Sequence, residues 1–133
     1  MARVEAPTPA VFSVVERFIP DGTRTFVVKV VEAARQTPDP LRVTSWFRAP
    51  DRNARVGGSP ESQHLLGLGL DIVVKGDAEE FVQTLESLGL FAVDEQNHVH
   101  VQLLPAGAAR SQGLLAALGL PLTPSADRRG GRA

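Results

Sequence analysis

The amino-acid sequence predicts an α+β domain, a small, mostly antiparallel sheet with flanking helices. Three features carry that expectation. Apolar residues fall at helical spacing from Thr23 to Gln36 and from Asp77 to Leu88, short β-branched runs stand elsewhere, and Gly, Pro and Asn clusters separate them. At 133 residues the chain has the length of one domain and can bury a core without staples.

Residues 1–22 carry Pro7, Pro9 and Pro20 around the apolar run Val11 to Ile19, show no single period, and read as an N-terminal arm suited to docking a protein partner. Asp21-Gly22 marks a turn, after which Phe26, Val27, Val30, Val31 and Ala34 share one side of a helix over Thr23 to Gln36. Pro38 and Pro40 end it. Leu41 to Phe47 then reads as a strand with Leu41, Val43, Ser45 and Phe47 on one face.

Ala49 to Gln63 reads as a long loop, a kind of segment that often carries function in compact domains. Leu70 to Val74 is a short strand; Asp77 caps a helix that runs to Leu88, and Gly89 stops it. Leu90 to Val93 and His98 to Leu104 form a hairpin around the turn Asp94 to Asn97, and Ala108 to Leu118 closes the domain as a helix. The domain is thus expected over 23–124, with 125–133, where Arg128, Arg129 and Arg132 sit among glycines, as a flexible tail.

Composition excludes several classes of function. Fourteen basic and fifteen acidic side chains leave a net charge of −1, no footprint for nucleic acid. With no cysteine there is no disulfide framework and no thiol nucleophile, and any metal must be held by His, Asp or Glu. No window reaches the roughly 18 apolar residues of a membrane span, so no membrane insertion is expected. The N-terminus has acidic residues and prolines where a secretory signal needs a basic start and an unbroken apolar stretch, so synthesis in the cytoplasm without a cleavable signal is expected.

All three histidines lie in two places, His64 and the pair His98 and His100, and Asp71 follows His64 by seven residues. On a strand, His98, His100 and Gln102 project from one face while Val99, Val101 and Leu103 meet the core. Gly67 and Gly69 allow a tight backbone path, so a loop histidine and a strand aspartate can converge. Two imidazoles and one carboxylate are a recurring ligand set for catalytic zinc, which keeps a position open to polarise a carbonyl and to activate water. The same spacing also suits ordinary hydrogen-bonded histidines beside a strand-end carboxylate, or another metal.

The stretch TSWFRAPDRNARVGGSPESQHLLGLGLDI followed by NHVHVQ resembles the two signature blocks of the M15 peptidases: zinc D-Ala-D-Ala carboxypeptidases, dipeptidases and L-Ala-D-Glu endolysins. The family block Ser-x-His-x-x-Gly-x-Ala-x-Asp is matched by Ser62, His64, Gly67 and Asp71, with Gly69 where alanine is usual. An aromatic-arginine pair is matched by Phe47-Arg48, and an Asn with a Val-Gly-Gly turn by Asn53 and Val56-Gly57-Gly58. The matching motifs run from about Thr44 to Gln102, close to half the chain.

The resemblance implies the DD-peptidase (hedgehog-like) zinc peptidase fold, with Zn2+ held by His64, Asp71 and His100 and a substrate among peptidoglycan stem peptides. It implies that Arg48 holds a substrate carboxylate or the oxyanion, and that Ser62 hydrogen-bonds substrate or orients the loop.

The match is imperfect at one position. Many members carry Glu or Asp three residues before the last histidine ligand, as general base, where this chain has Asn97, whose amide cannot accept a proton. His98 is the nearest substitute, with Glu95 and Asp94 further candidates, and Gln102 stands where a related branch often has aspartate. Two functions follow. One is a carboxypeptidase- or endolysin-type hydrolase acting at the cell wall, after release or as part of a virion. The other is a catalytically weakened M15-like domain serving as a virion or cell-wall-binding structural module. Asn97 favours the second; Arg48, His64, Asp71 and His100 together favour the first.

Overall fold

A computed structural model describes residues 3–120; the segment 125–133, read above as a tail, lies outside the described residues. The fold is α+β. Its strands are β1 (Leu41–Ser45), β2 (Gly69–Val74), β3 (Phe91–Asp94) and β4 (Val99–Gln102), in one four-stranded sheet of order β1-β2-β4-β3. Every neighbouring pair is antiparallel. The helices are α1 (Pro9–Phe18), α2 (Gly22–Arg35), α3 (Pro50–Arg55), α4 (Ala78–Ser87), α5 (Ala108–Ser111) and α6 (Leu114–Ala117), with a short 3-10 helix at Gln63–Leu66. Among the described residues no helix is long and apolar enough to cross a membrane.

Register divides the sheet into two chemically different faces. Leu70 pairs with Val101 and Ile72 with Val99, and all four are buried. Against them pack Phe81 and Leu85 of α4 and Phe26 and Val30 of α2 in one core. On the opposite face Asp71 stands across from His100 and Gly69 across from Gln102. A slip of one residue would carry Asp71 and His100 into the core and the aliphatic set out of it, so burial fixes this register strongly.

Local chemistry explains the helix ends. Thr8 caps α1, its hydroxyl accepting from Val11 N at 3.3 Å, and Pro9 occupies a first-turn position where no N–H is needed. Asp77 caps α4 by accepting from Glu80 N at 3.1 Å. Residues 1–22, set apart above as an arm, contain α1, whose Val15 is fully buried in the core, and Glu5 O accepts from Phe47 N at 3.0 Å.

Four expectations need correction. On α2 the buried face is Thr23, Phe26, Val30 and Ala33, whereas Val31 is exposed, because the 3.6-residue repeat rotates it away. The strand expected to reach Phe47 stops at Ser45: a register shift between Val43 and Ser45 lifts the chain off β2, and Arg48 N then donates to His64 O at 3.0 Å. The expected loop from Ala49 to Gln63 contains α3, which starts on Pro50. The expected helix from Ala108 to Leu118 is two short helices, broken where Gly113 adopts φ 85.

Phe81 joins α4 to the sheet from a fully buried position. Phe81→Ala is expected to cost about 3–5 kcal/mol of unfolding free energy, read as a lower denaturant midpoint at unchanged slope. An unchanged midpoint would show that α4 contributes little to the core.

Candidate metal centre

The centre is assembled from three backbone devices. Ser62 Oγ accepts from His64 N at 3.1 Å and caps the 3-10 helix, which delivers His64 to the sheet. β2 supplies Asp71 and β4 supplies His100, cross-strand partners. The 3-10 helix can lie this close to β2 because residue 69 is glycine. A Cβ there would stand 3.2 Å from His64 N and 3.3 Å from Gln63 C, so the usual alanine would push the histidine-bearing turn outward.

His64 and Asp71 are buried, and His100 is partly so. His64 Nε2 lies 3.1 Å and His100 Nδ1 3.0 Å from the same oxygen, Asp71 Oδ1. One ligand atom from each residue lies within 4.8 Å of the others.

The outer ring nitrogens decide what can fit between them. His64 Nδ1 is 2.5 Å from Trp46 O, a carbonyl that can only accept, so the ring hydrogen is on Nδ1. His100 Nε2 is 2.8 Å from Gln102 Oε1, and the Gln102 amide is oriented by its own donation to Leu104 O at 3.0 Å. With the outer nitrogens donating, the inner nitrogen of each ring meets the anionic oxygen as a bare lone pair unless it too carries a proton. Two lone pairs and a carboxylate facing one another call for a proton or a cation between them, and the residues fit a divalent metal whose ligands are two imidazoles and a carboxylate. A family model described as Peptidase M15 matches residues 13–102, more than half of the chain.

The chain belongs to the peptidase M15 family. No curated protein matches it.

In this M15 domain the residues singled out by the sequence gather around one cavity of about 540 Å3, whose wall includes Arg48, Ser62, His64, Asp71, His98 and His100. Asn97 is exposed and lies outside that wall. Arg48 Nη2 donates to Asp71 Oδ2 at 2.9 Å and Nε to Ser45 Oγ at 3.2 Å, so the guanidinium is anchored on the ligand carboxylate as well as facing the cavity. Buried Asn53 lies 3.4 Å from Arg48 Nη1 through Oδ1 and donates from Nδ2 to Ser59 O at 2.8 Å. A Cβ at Gly58 would stand 2.1 Å from Asn53 Oδ1, so the Asn53 and Val56-Gly57-Gly58 motif forms one interlocked turn.

Two supporting residues escaped sequence reasoning. Trp46 orients His64 through its carbonyl and pins the end of the same turn by donating from Nε1 to Gly67 O at 2.8 Å. Gln63 donates to Leu104 O at 2.7 Å and accepts from Leu104 N at 2.9 Å, tying the histidine turn to the end of β4. The sequence signal for Gln63 is only its place beside His64, and for Trp46 none marks a backbone carbonyl.

Electrostatics follow from this geometry. Burial acts to raise the Asp71 carboxyl, but hydrogen bonds from His100 and His64 outweigh it and hold the group well below the usual carboxylate range. Burial acts to lower His100, and its hydrogen bonds to Asp71 and Gln102 outweigh that and raise it. In chelated protein the depressed Asp71 contributes stability above its unfolded pKa of about 3.9, lost as pH falls through the folded value. The raised His100 contributes below about 6.5, and that is lost as pH rises through its folded value. The cluster is therefore expected to stabilise metal-free protein most between those limits. Melting temperature against pH checks this, and His100→Gln is expected to remove the alkaline limb of the profile.

Proposed function

We propose that the protein is a zinc peptidase hydrolysing peptide bonds in the stem peptides of bacterial peptidoglycan, of carboxypeptidase or endolysin type, acting at the cell wall. The observation that carries this reading is the pair of imidazoles whose outer nitrogens are committed to Trp46 O and Gln102 Oε1, leaving both inner lone pairs on Asp71 at the wall of an open cavity. A purely structural zinc site is more often closed by four protein ligands, commonly cysteines.

Zinc held by His64, Asp71 and His100 would supply Lewis-acid polarisation of the scissile carbonyl and activation of water. The protein's own groups do the rest. Arg48 is the one Lys or Arg side chain on the cavity wall among the described residues. Its planar fork suits a substrate carboxylate or the oxyanion that develops on the carbonyl. Ser62 keeps His64 in place through the cap and offers a hydroxyl at the same wall.

Digestion of purified peptidoglycan with mass analysis of the fragments tests the reading. Soluble stem-peptide fragments are expected from zinc-loaded protein, none after chelation, and recovery on adding zinc back. Arg48→Lys is expected to bind zinc and lose most of the rate, because an ammonium cannot replace the bidentate fork. Full zinc binding with no cleavage of any stem-peptide bond would favour the structural module.

A further inference from the structure

Among the described residues three carboxylates line the cavity: Asp71, Glu61 and Glu95. Asp71 is occupied on both oxygens, by the two imidazoles and by Arg48. Glu61 is engaged by Arg110 Nη1 at 3.4 Å. Glu95 remains, with a half-exposed side chain whose Oε1 lies 3.0 Å from His98 Nε2, and that nitrogen is itself 3.7 Å from Asp71 Oδ1.

The β3–β4 turn explains how Glu95 comes to face the site. Glu95 N donates to His98 O at 2.9 Å, closing the hairpin on the pair Glu95 and His98. Gln96 takes up the left-handed strain at φ 78, helped by Asp94 Oδ1, which accepts from Gln96 N at 2.8 Å. Asn97 is left exposed, outside the cavity, with its side-chain amide 2.6 Å from His98 Nδ1. His98 Nε2 lies 3.0 Å from Glu95 Oε1 and its Nδ1 2.6 Å from Asn97 Oδ1, so acceptor oxygens engage both ring nitrogens and neither faces the cavity as a free lone pair.

We propose that Glu95 is the general base of the peptidase reaction and that His98 is a positioning residue that holds it beside the ligand carboxylate. The assignment rests on the zinc peptidase reading and deepens it. A water oxygen bonds to the scissile carbonyl carbon while the Glu95 carboxylate takes one water proton. As the C–N bond breaks, that proton passes from Glu95 to the departing amine nitrogen. The new carboxylic acid loses the second proton to the amine or to solvent, and Glu95 is again ionised.

The test uses full-length, zinc-loaded protein and a synthetic stem pentapeptide containing both an L-Ala-D-Glu and a D-Ala-D-Ala bond. Glu95→Gln keeps the shape and a hydrogen bond to His98 but cannot take a proton. It is expected to lower kcat by about 10²- to 10⁴-fold, with KM, zinc stoichiometry and the calorimetric Kd for intact pentapeptide unchanged. Glu95→Ala is expected to recover part of its rate with added formate, a small carboxylate that can occupy the vacated space. The assignment is overturned if Glu95→Gln keeps the wild-type kcat, if its loss of rate comes with equal loss of zinc or peptide affinity, or if folded Glu95→Ala gains nothing from formate. A wild type that cleaves neither bond overturns the peptidase reading for this substrate, and the base assignment with it.

Discussion

The Asp71 carboxylate is held from two sides, with His64 Nε2 and His100 Nδ1 against one oxygen and the Arg48 guanidinium on the other. A carboxylate this far removed from water is costly unless charge and hydrogen bonds replace its hydration. The carboxylate and its partners come from four separate places in the chain: β2 itself, the segment just past β1, the 3-10 helix and β4. Each must be in register for the carboxylate to be satisfied. The close approach at Gly69, the Ser62 cap, the Gln63 clamp on Leu104 and the Trp46 contacts all serve that one condition.

The two faces of the sheet divide the work. The aliphatic face, with Leu70, Ile72, Val99 and Val101, fixes strand register by burial, and the same register brings Asp71 opposite His100 on the other side. Core packing and site geometry are thus set by one choice of alignment. The outer shell then sets the chemistry: acceptors on the far nitrogens select the tautomers, so the inner nitrogens are available as ligands.

Much of this was legible in the sequence where the signal is local. The α4 helix is framed by Asp77 and Gly89, and the α+β class follows from alternating periods. The set His64, Asp71 and His100 emerged from spacing and motif because strand alternation places His100 away from Val99 and Val101. What was not legible depends on long-range contacts. Phe47 and Arg48 leave β1 because Glu5 O and His64 O accept their N–H groups, contacts no local pattern encodes. Helix α3 hid inside a Gly- and Pro-rich stretch since its start is a proline, which reads equally as a loop. Trp46 acts through its backbone carbonyl, to which side-chain identity gives no clue.

The proposed function requires a zinc ion that would be held by His64 through Nε2, His100 through Nδ1 and one oxygen of Asp71. A crystal structure of zinc-loaded protein, with anomalous scattering recorded at the zinc edge, tests it most directly. One full-occupancy peak is expected about 2.0–2.2 Å from those three atoms, with Trp46 O and Gln102 Oε1 still on the outer nitrogens. A peak elsewhere, or zinc on His100 Nε2 with Gln102 displaced, would contradict it.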